Sequence, residues 1–548
     1  MKPLRLFVIA LFSFNISGLF ATPFDMIPAG DPVLRDLRFL SLESGRPFLS
    51  FTPPLSPAEI EQFLNSLDPA LLSNPAQHAY NRVRNRLTPS APFRFSSNNF
   101  TALANINSTF EARVRFNPEI SWYPLYPNVP PFLSMPIRLC FSNFFQLYVE
   151  PILAANPVYY TRPERFGVNV PYGYHHFDVN MPLRAFVAAG GPWWNFQLGR
   201  DRLFWGTGHT GSLTFSDNSD FFEFMRLSAF SDFFKYSLTV SQMPLEVTEA
   251  LYARPFQNPY DPSSMMLTTQ RHFYLHRIDL NLFNRVSIGV MEGIMAGNSG
   301  LELRFLNPLV IFHSLFSWHD YEPWPENPEM GSMIGSFFSI DLNWNITRNL
   351  AFHGQFVMNE FALPGELRAD GVEPPNALGY LAGLSYTHSF NNWGSVFFFE
   401  FIYTDPYLFI LSSPFASFIQ MRRISPDYLQ YYFIGYPRDT MAFTLGTRFF
   451  NNDASLNFTG YLSWVSRGEH NKDGITWNWE RTQEAFDART PTGVAENQLV
   501  ASFAAQWKLS PFFTLNGGFT GIFSINNRHL SGSNAIGGQA MFSVSFRY

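Results

Sequence analysis

The last nine residues, AMFSVSFRY (540–548), alternate between two kinds of side chain. The even-numbered positions are apolar or aromatic and end with Phe546 and Tyr548. The odd-numbered positions include Ser543, Ser545 and Arg547. Successive side chains of a β-strand point to opposite faces. The stretch therefore predicts a terminal strand with one apolar face, one polar face and an aromatic residue at its end.

The same alternation recurs at 110–117, 333–346, 497–509 and 512–525. These runs are about ten residues long, the length that a tilted strand needs to cross a bilayer. Only 15% of the residues are charged and 18% are aromatic, whereas a soluble protein has about 25% charged residues. The mean hydropathy is −0.06, too low for a bundle of membrane helices. Together these features are typical of a membrane β-barrel, in which lipid-facing and lumen-facing residues alternate.

The net charge of −6 and the lack of a long basic run argue against a nucleic-acid partner. Cys140 is the only cysteine, which excludes an intrachain disulfide and a cysteine-rich metal site. We expect no cofactor.

Residues 1–21 have the pattern of a secretory signal peptide. Lys2 and Arg5 precede an apolar segment at 6–14, and a cleavage site follows Ala21. The alternative, a buried N-terminal helix, is disfavoured by the prolines that follow closely.

Residues 22–98 predict a small helical bundle. Asp31-Pro32 and Asn74-Pro75 are helix starts, and Ser56-Pro57-Ala58-Glu59 is a capping box. Three short helices have little core of their own, so we expect them to pack on the rest of the chain.

Residues 99–548 predict an all-β transmembrane barrel of about 18 antiparallel strands, with roughly 16 to 20 possible. Short and long connections alternate from residue 179 onward. Outer-membrane barrels have short periplasmic turns and long external loops, so we place the bundle and the C-terminus in the periplasm of a diderm bacterium. Two regions leave the count open. Residues 301–316 are two short strands or one strand and a loop, and the strand within 99–136 clashes with the parity of the count.

The terminal strand also resembles the C-terminal signal that the outer-membrane barrel-assembly machinery recognises, with Phe546 and Tyr548 at its end. The expected partners are therefore outer-membrane lipid and this machinery.

The stretch GRDRLFWGTGHTGSLTFSDNSD (199–220) resembles the Wzi-type capsule-assembly family of outer-membrane proteins. The matching residues are Gly199, Arg200, Trp205, Gly206, Gly208, Gly211, Ser212, Leu213 and Asn218. The resemblance implies a barrel of about 18 strands with a helical bundle at its periplasmic end. It also implies binding of capsular polysaccharide at the cell surface.

Flat aromatic faces and a few polar groups are what a polysaccharide surface needs. The candidates are Trp205, His209, Trp318, Tyr321, Trp324, Trp477 and Trp479. The alternative for any one tryptophan is a place in the aromatic girdle at the membrane interface.

Arginine is used far more often than lysine, and several arginines fall on the polar side of a strand. They are Arg113, Arg115, Arg277, Arg304, Arg448 and Arg547. They either line a path for acidic sugars or form ion pairs in the lumen with Glu111, Asp279, Asp341 and Glu400. Because both signs occur on the same face, ion pairing is favoured.

We predict no catalytic residues, no metal site and no enzyme activity. The run His175-His176-Phe177-Asp178 and the pair His272 and His276 could bind a metal, but neither has a further ligand at a convincing spacing. His209, Ser212 and Asp217 have suitable residue types but lie within one short loop. Three functions remain open: a Wzi-type polysaccharide-binding protein, a porin or solute channel, and a surface adhesin.

Overall fold

The structure is a computed structural model. It describes residues 24–88, 91–97, 99–120, 129–142, 144–156, 165–173, 176–178, 184–216, 219, 221–248, 266–297, 300–309, 334–361, 375–425, 428–472, 474 and 483–548. No helix within these ranges has the length and hydropathy of a membrane span.

Three helices open the described chain: α1 (Pro32–Ser44), α2 (Pro57–Asn65) and α3 (Asn74–Arg86). Each begins with a proline in its first turn behind a capping side chain, as the sequence predicts. The Asp31 carboxylate accepts from Val33 N at 3.0 Å. In the capping box, Glu59 Oε2 accepts from Ser56 N at 2.8 Å. These caps satisfy backbone N–H groups that have no partner within the helix.

The rest of the described chain is mainly strand. The strands are β1 (Phe93–Ser97), β2 (Phe100–Ala104), β3 (Asn107–Phe116), β4 (Leu133–Ser134), β5 (Ile137–Phe141), β6 (Phe145–Glu150), β7 (Ile152–Leu153), β8 (Phe166–Val168), β9 (Arg184–Gly190), β10 (Trp194–Asp201), β11 (Phe222–Phe230), β12 (Phe234–Gln242), β13 (Leu245–Thr248), β14 (Met266–Thr269), β15 (Arg271–Leu282), β16 (Val286–Gly297), β17 (Ile334–Thr347), β18 (Leu350–Glu360), β19 (Ala377–Phe390), β20 (Trp393–Thr404), β21 (Ile419–Ser425), β22 (Tyr428–Phe433), β23 (Thr440–Asn451), β24 (Leu456–Arg467), β25 (Glu496–Lys508), β26 (Phe513–Ile525) and β27 (Ala535–Arg547).

Antiparallel pairing runs from strand to strand and returns to its start, because β27 pairs with β3 from Gly538↔Phe116 to Arg547↔Asn107. Three strands of the ring are each interrupted by a short break but keep their register: β2 continues as β3, β4 as β5, and β6 as β7. The interrupted strand β2–β3 pairs with the interrupted strand β4–β5 from Phe100↔Phe141 to Ser108↔Leu133. With each interrupted pair counted once, the described strands form a ring of 18. The interruptions explain the parity clash before residue 136.

The two faces of the wall differ as the alternation predicts. Leu198, Leu227 and Leu445 stand exposed on the outer face. Arg226 and Glu400, on the opposite face of their strands, are buried in the lumen. Exposed aromatic residues also sit at the short turns, as expected of an interfacial girdle. They include Trp193, Phe233, Phe283 and Phe512, and the last residue, Tyr548, lies beside Phe512.

Short turns and long connections alternate as predicted. The short turns are 191–193, 231–233, 283–285, 348–349, 391–392, 452–455 and 509–512. The long connections are 202–221, 243–270, 298–333, 361–376, 405–439 and 468–495. Of the two alternatives for 301–316, two short strands is wrong, because Leu303–Leu306 is a 3₁₀ helix. Residues 310–316 lie outside the described residues.

The helical bundle occupies the short-turn end of the barrel. Gln62 donates to Pro192 O at 2.9 Å, and Ser73 donates to the Ser389 hydroxyl at 3.0 Å. The Phe39 ring meets Phe450 of the wall edge to face, at 4.9 Å between centroids. The bundle core thus continues into the wall instead of forming a separate body. Strand β1 lies within the range 22–98 that the sequence assigns to the bundle, so the helical part ends at Arg86.

Candidate functional site

The motif that carries the family resemblance starts on β10 and continues into the connection 202–221. Gly199 has φ 133°, and a Cβ there would lie 2.4 Å from Ala185 O, so only glycine fits against the neighbouring strand. The Arg200 guanidinium forms an ion pair with Glu223 on β11. It also lies 4.2 Å from the centroid of the Phe221 ring. Arg200 therefore holds together the two ends of the connection.

This connection folds into the lumen and contacts the helical bundle. Gly206 N donates to Phe51 O at 2.9 Å. Arg38 of α1 donates to Gly208 O at 3.0 Å and to Gly206 O at 3.2 Å. Backbone carbonyls that lose water in the lumen thus gain a charged donor, which is among the stronger protein hydrogen bonds.

Two inward side chains of the wall hold the same segment. Glu400 on β20 accepts from His209 N at 2.7 Å, from Thr210 N at 3.0 Å and from His353 Nε2 at 3.1 Å. The amide group of Gln355 on β18 holds the next turn of the segment.

Gln355 Oε1 accepts from Leu213 N at 2.6 Å. Its Nε2 donates to Trp205 O at 3.3 Å and to Thr214 Oγ1 at 3.1 Å. The motif segment is therefore bonded to the wall through its backbone, which explains why small residues suffice at many of its positions.

The connection 405–439 packs on the other side of the motif. Tyr436 N donates to Ser212 O at 2.8 Å, and Ser216 N donates to Ile434 O at 2.8 Å. A Cβ on Gly211 would lie 2.7 Å from the Tyr436 ring. Arg271 of β15, fully buried, donates to Ser417 O at 2.7 Å and to Ile419 O at 2.6 Å. The lumen is thus filled in layers: bundle, motif segment and the 405–439 connection.

Trp205 lies inside this filling and is 1% exposed. Its ring meets Phe215 edge to face at 4.9 Å, in the cluster that also contains Leu213. Neither face of the indole is open to a sugar ring. The expected glycan contact of Trp205 therefore does not fit its position, where the ring packs the motif segment instead.

His209 is also held within the lumen. Its ring stacks on Phe398 with centroids 4.1 Å apart, and Nε2 lies 2.9 Å from Ser385 Oγ. Burial lowers its pKa to about 3, with Arg38 and His353 adding to the effect and Glu400 opposing it. A neutral His209 borders a lumen cavity of about 330 Å³, well inside the barrel and not on its outer surface.

The remaining candidates Trp318, Tyr321, Trp324, Trp477, Trp479 and Asn218 lie outside the described residues. Their roles stay predictions. Within the described ranges, no group of three or more His, Cys, Asp or Glu side chains is arranged to hold a metal ion.

The predicted lumen ion pairs form in part. Arg113 pairs with Glu111 at 2.8 Å, and Arg277 pairs with Asp279 at 2.6 Å and with Asp341. Glu400 binds the motif backbone instead of an arginine. Sequence reasoning missed Arg38 and Gln355, which carry no local signal.

Comparison with known proteins identifies the family. The family model described as capsule assembly protein Wzi matches residues 133–521. The chain belongs to the Wzi capsule assembly family. No curated protein sequence gave a match.

The fold is similar to the solved structure of Wzi from Escherichia coli, described as a carbohydrate-binding β-barrel involved in group 1 capsule assembly. The TM-score is 0.54 at 14% identity, covering 94% of this chain and 98% of that one. OccK10 (OpdN) of Pseudomonas aeruginosa gives a TM-score of 0.39 at 10% identity, covering 81% and 98%. The chain is thus an outer-membrane β-barrel of the Wzi type.

Proposed function

We propose that this protein binds capsular or other surface polysaccharide through its extracellular loops and helps to assemble or attach it at the cell surface. The filled lumen is the observation that favours this function. Arg38, Gln355 and Glu400 tie the motif segment to both bundle and wall. A solute path would have to displace these bonds, whereas a surface binder needs only a rigid platform for its loops.

The proposed contacts are the paired aromatic residues of two long connections: Trp318, Tyr321 and Trp324 in one, and Trp477 and Trp479 in the other. Aromatic faces contribute binding area at low conformational cost. The Escherichia coli protein of the same fold is described as carbohydrate-binding, which supports the same ligand class here. We assign the protein no catalytic activity.

The test measures binding of purified capsular polysaccharide to the protein in detergent micelles. We expect W318A/W324A or W477A/W479A to weaken binding by tenfold or more. Trp193→Ala, at an exposed position of a short turn, is the matched control and should bind as the parent does. Unchanged binding in both double variants would reject the proposed surface.

The alternative as a porin is tested by single-channel conductance of the intact protein in a planar bilayer. A plugged barrel should be silent, whereas large and steady conductance steps would favour a channel.

We also propose that β27 is the segment that the barrel-assembly machinery recognises. Its last residues support this, because Phe546 stacks with Tyr548 at the short-turn edge, their centroids 6.5 Å apart. Removal of Phe546 and Tyr548 should lower the amount of protein in the outer membrane, and a normal level would reject the proposal.

A further inference from the structure

A cavity of about 390 Å³ lies between the helical bundle and the wall strands β3 and β23–β27. Pro511 and Phe512, from the short turn between β25 and β26, line it together with residues of α1 and α3. It is therefore at the short-turn end, opposite the long connections. Its size falls within the range of roughly 300–1,000 Å³ that is usual for small-ligand sites.

The lining of this cavity is strongly cationic. It contains Arg35, Arg82, Arg448, Lys508 and Arg547, but Asp36 is its one carboxylate. That carboxylate is already occupied: Arg82 Nε donates to Asp36 Oδ2 and Nη2 donates to Oδ1, both at 2.9 Å.

The other four cations form no ion pair with a described residue. Arg448 donates to Asn457 Oδ1 at 2.9 Å and lies 4.5 Å from the centroid of the Phe450 ring. Lys508 and Arg547 keep much of their surface accessible to water. Both occupy inward positions of their strands, in line with Gln506 and Ser545, which also line the cavity.

In the adjacent cavity, of about 1010 Å³, two of the lining arginines have carboxylate partners. Arg86 pairs with Asp25 at 2.8 Å and with Asp31 at 3.0 Å. Arg138 pairs with Asp25 at 3.1 Å. Clustered cations without counter-charges repel one another, so an anion that binds in the cavity of about 390 Å³ would be stabilised there.

Amide and hydroxyl groups complete the lining of the cationic cavity. Gln506 Nε2 donates to Asn516 Oδ1 at 3.0 Å, and Thr109 Oγ1 donates to Ser545 Oγ at 3.0 Å. Such groups exchange hydrogen bonds readily with sugar hydroxyls, whereas a site for a bare inorganic anion has no need of them.

We propose that this cavity binds an acidic saccharide from the periplasmic side, with its carboxylate on Arg448, Lys508 and Arg547 and its hydroxyls on the surrounding amide and hydroxyl groups. The site lies at the opposite end of the barrel from the extracellular loops and stands independently of the surface site proposed above.

The test is calorimetric titration of the full-length protein in detergent with three probes: digalacturonate, the neutral disaccharide cellobiose and inorganic phosphate. We expect digalacturonate to bind, cellobiose to bind at least tenfold more weakly, and rising salt to weaken the digalacturonate complex. Equal binding of cellobiose, or binding of phosphate without digalacturonate, would overturn the assignment to an acidic saccharide.

Variants locate the site. K508Q/R547Q should weaken digalacturonate binding at least tenfold, whereas K508R/R547K retains the charges and should keep most of it. Arg285→Gln removes the same kind of charge from an exposed short turn outside the cavity and should change nothing. Full binding by K508Q/R547Q overturns the proposal. Circular dichroism of this variant checks that a loss of binding comes from a folded barrel.

A cross-comparison separates this site from the proposed surface site. W318A/W324A should bind digalacturonate as the parent does, and K508Q/R547Q should keep its affinity for capsular polysaccharide. Loss of digalacturonate binding in W318A/W324A would place the acidic saccharide at the outer loops and reject the cavity.

Discussion

The barrel wall and the filling of its lumen are built on different principles. Along the wall, the environment of a residue follows from whether its position in the strand is odd or even. Leu445 faces outward, and its neighbour Thr444 is buried. In the lumen, the 202–221 connection has no period. Its conformation depends on groups distant in sequence, such as Arg38 and Glu400. The wall is therefore tolerant of apolar exchange, whereas the filling depends on individual contacts.

The largest expected effect comes from removing a ring at the centre of the filling. Trp205→Ala should destabilise the protein by about 3–5 kcal/mol, because it leaves a cavity among well-packed side chains. Leu445→Ala, on the lipid-facing outer wall, shortens an apolar side chain without leaving an internal cavity and should cost less, about 1–2 kcal/mol. Urea unfolding in detergent measures both. Similar losses for the two variants would contradict the contrast between wall and filling.

The carboxylate that holds the motif backbone should rank next. Glu400→Gln weakens hydrogen bonds from His209 N and Thr210 N, at a cost of about 2–3 kcal/mol. Because the motif segment blocks the lumen, this variant should also show brief conductance events in a planar bilayer.

Glu119→Gln is the control for this carboxylate. It removes one charge of the exposed pair with Arg528 and should cost about 0.5 kcal/mol or less. A silent and fully stable Glu400→Gln variant would mean that the wall does not hold the segment through this group.

Acid should loosen the filling through His209. Its pKa lies at about 3 in the folded protein, below the ordinary value of 6.5. Between these values the unfolded chain binds more protons, so the stability contributed by neutral His209 is complete above pH 6.5 and declines as the pH falls toward 3. At pH 5 the loss from this group is about 2 kcal/mol.

His209→Gln isolates that contribution. The variant should lose less stability than the parent between pH 7 and pH 5, as judged from urea midpoints at both values. Equal losses would show that His209 is not kept neutral by its surroundings.

Sequence reasoning could predict the wall because its rules are local. Alternation in β25 and β26, and the turn at 509–512, were readable from neighbouring residues alone. The roles of the motif residues cannot be predicted from neighbouring residues alone. Trp205 has the flat aromatic ring that a sugar contact needs, but its burial depends on Phe215 and on strands far away in the chain. Likewise, the sequence favours an ion pair between Glu400 and an arginine, whereas the carboxylate accepts hydrogen bonds from the motif backbone.

Glycine substitutions give the smallest and most local comparison. Gly211→Ala should destabilise by about 1–3 kcal/mol, because the added methyl group would stand 2.7 Å from the Tyr436 ring, which is itself packed in the filling. Gly517→Ala on β26 adds a methyl group that meets nothing within 4 Å, so it should be close to neutral. Both are measured by the same urea titration. If Gly211→Ala proves as neutral as Gly517→Ala, the 405–439 connection can shift away from the motif, and the contact between the two layers of the filling is looser than that between the motif and the bundle.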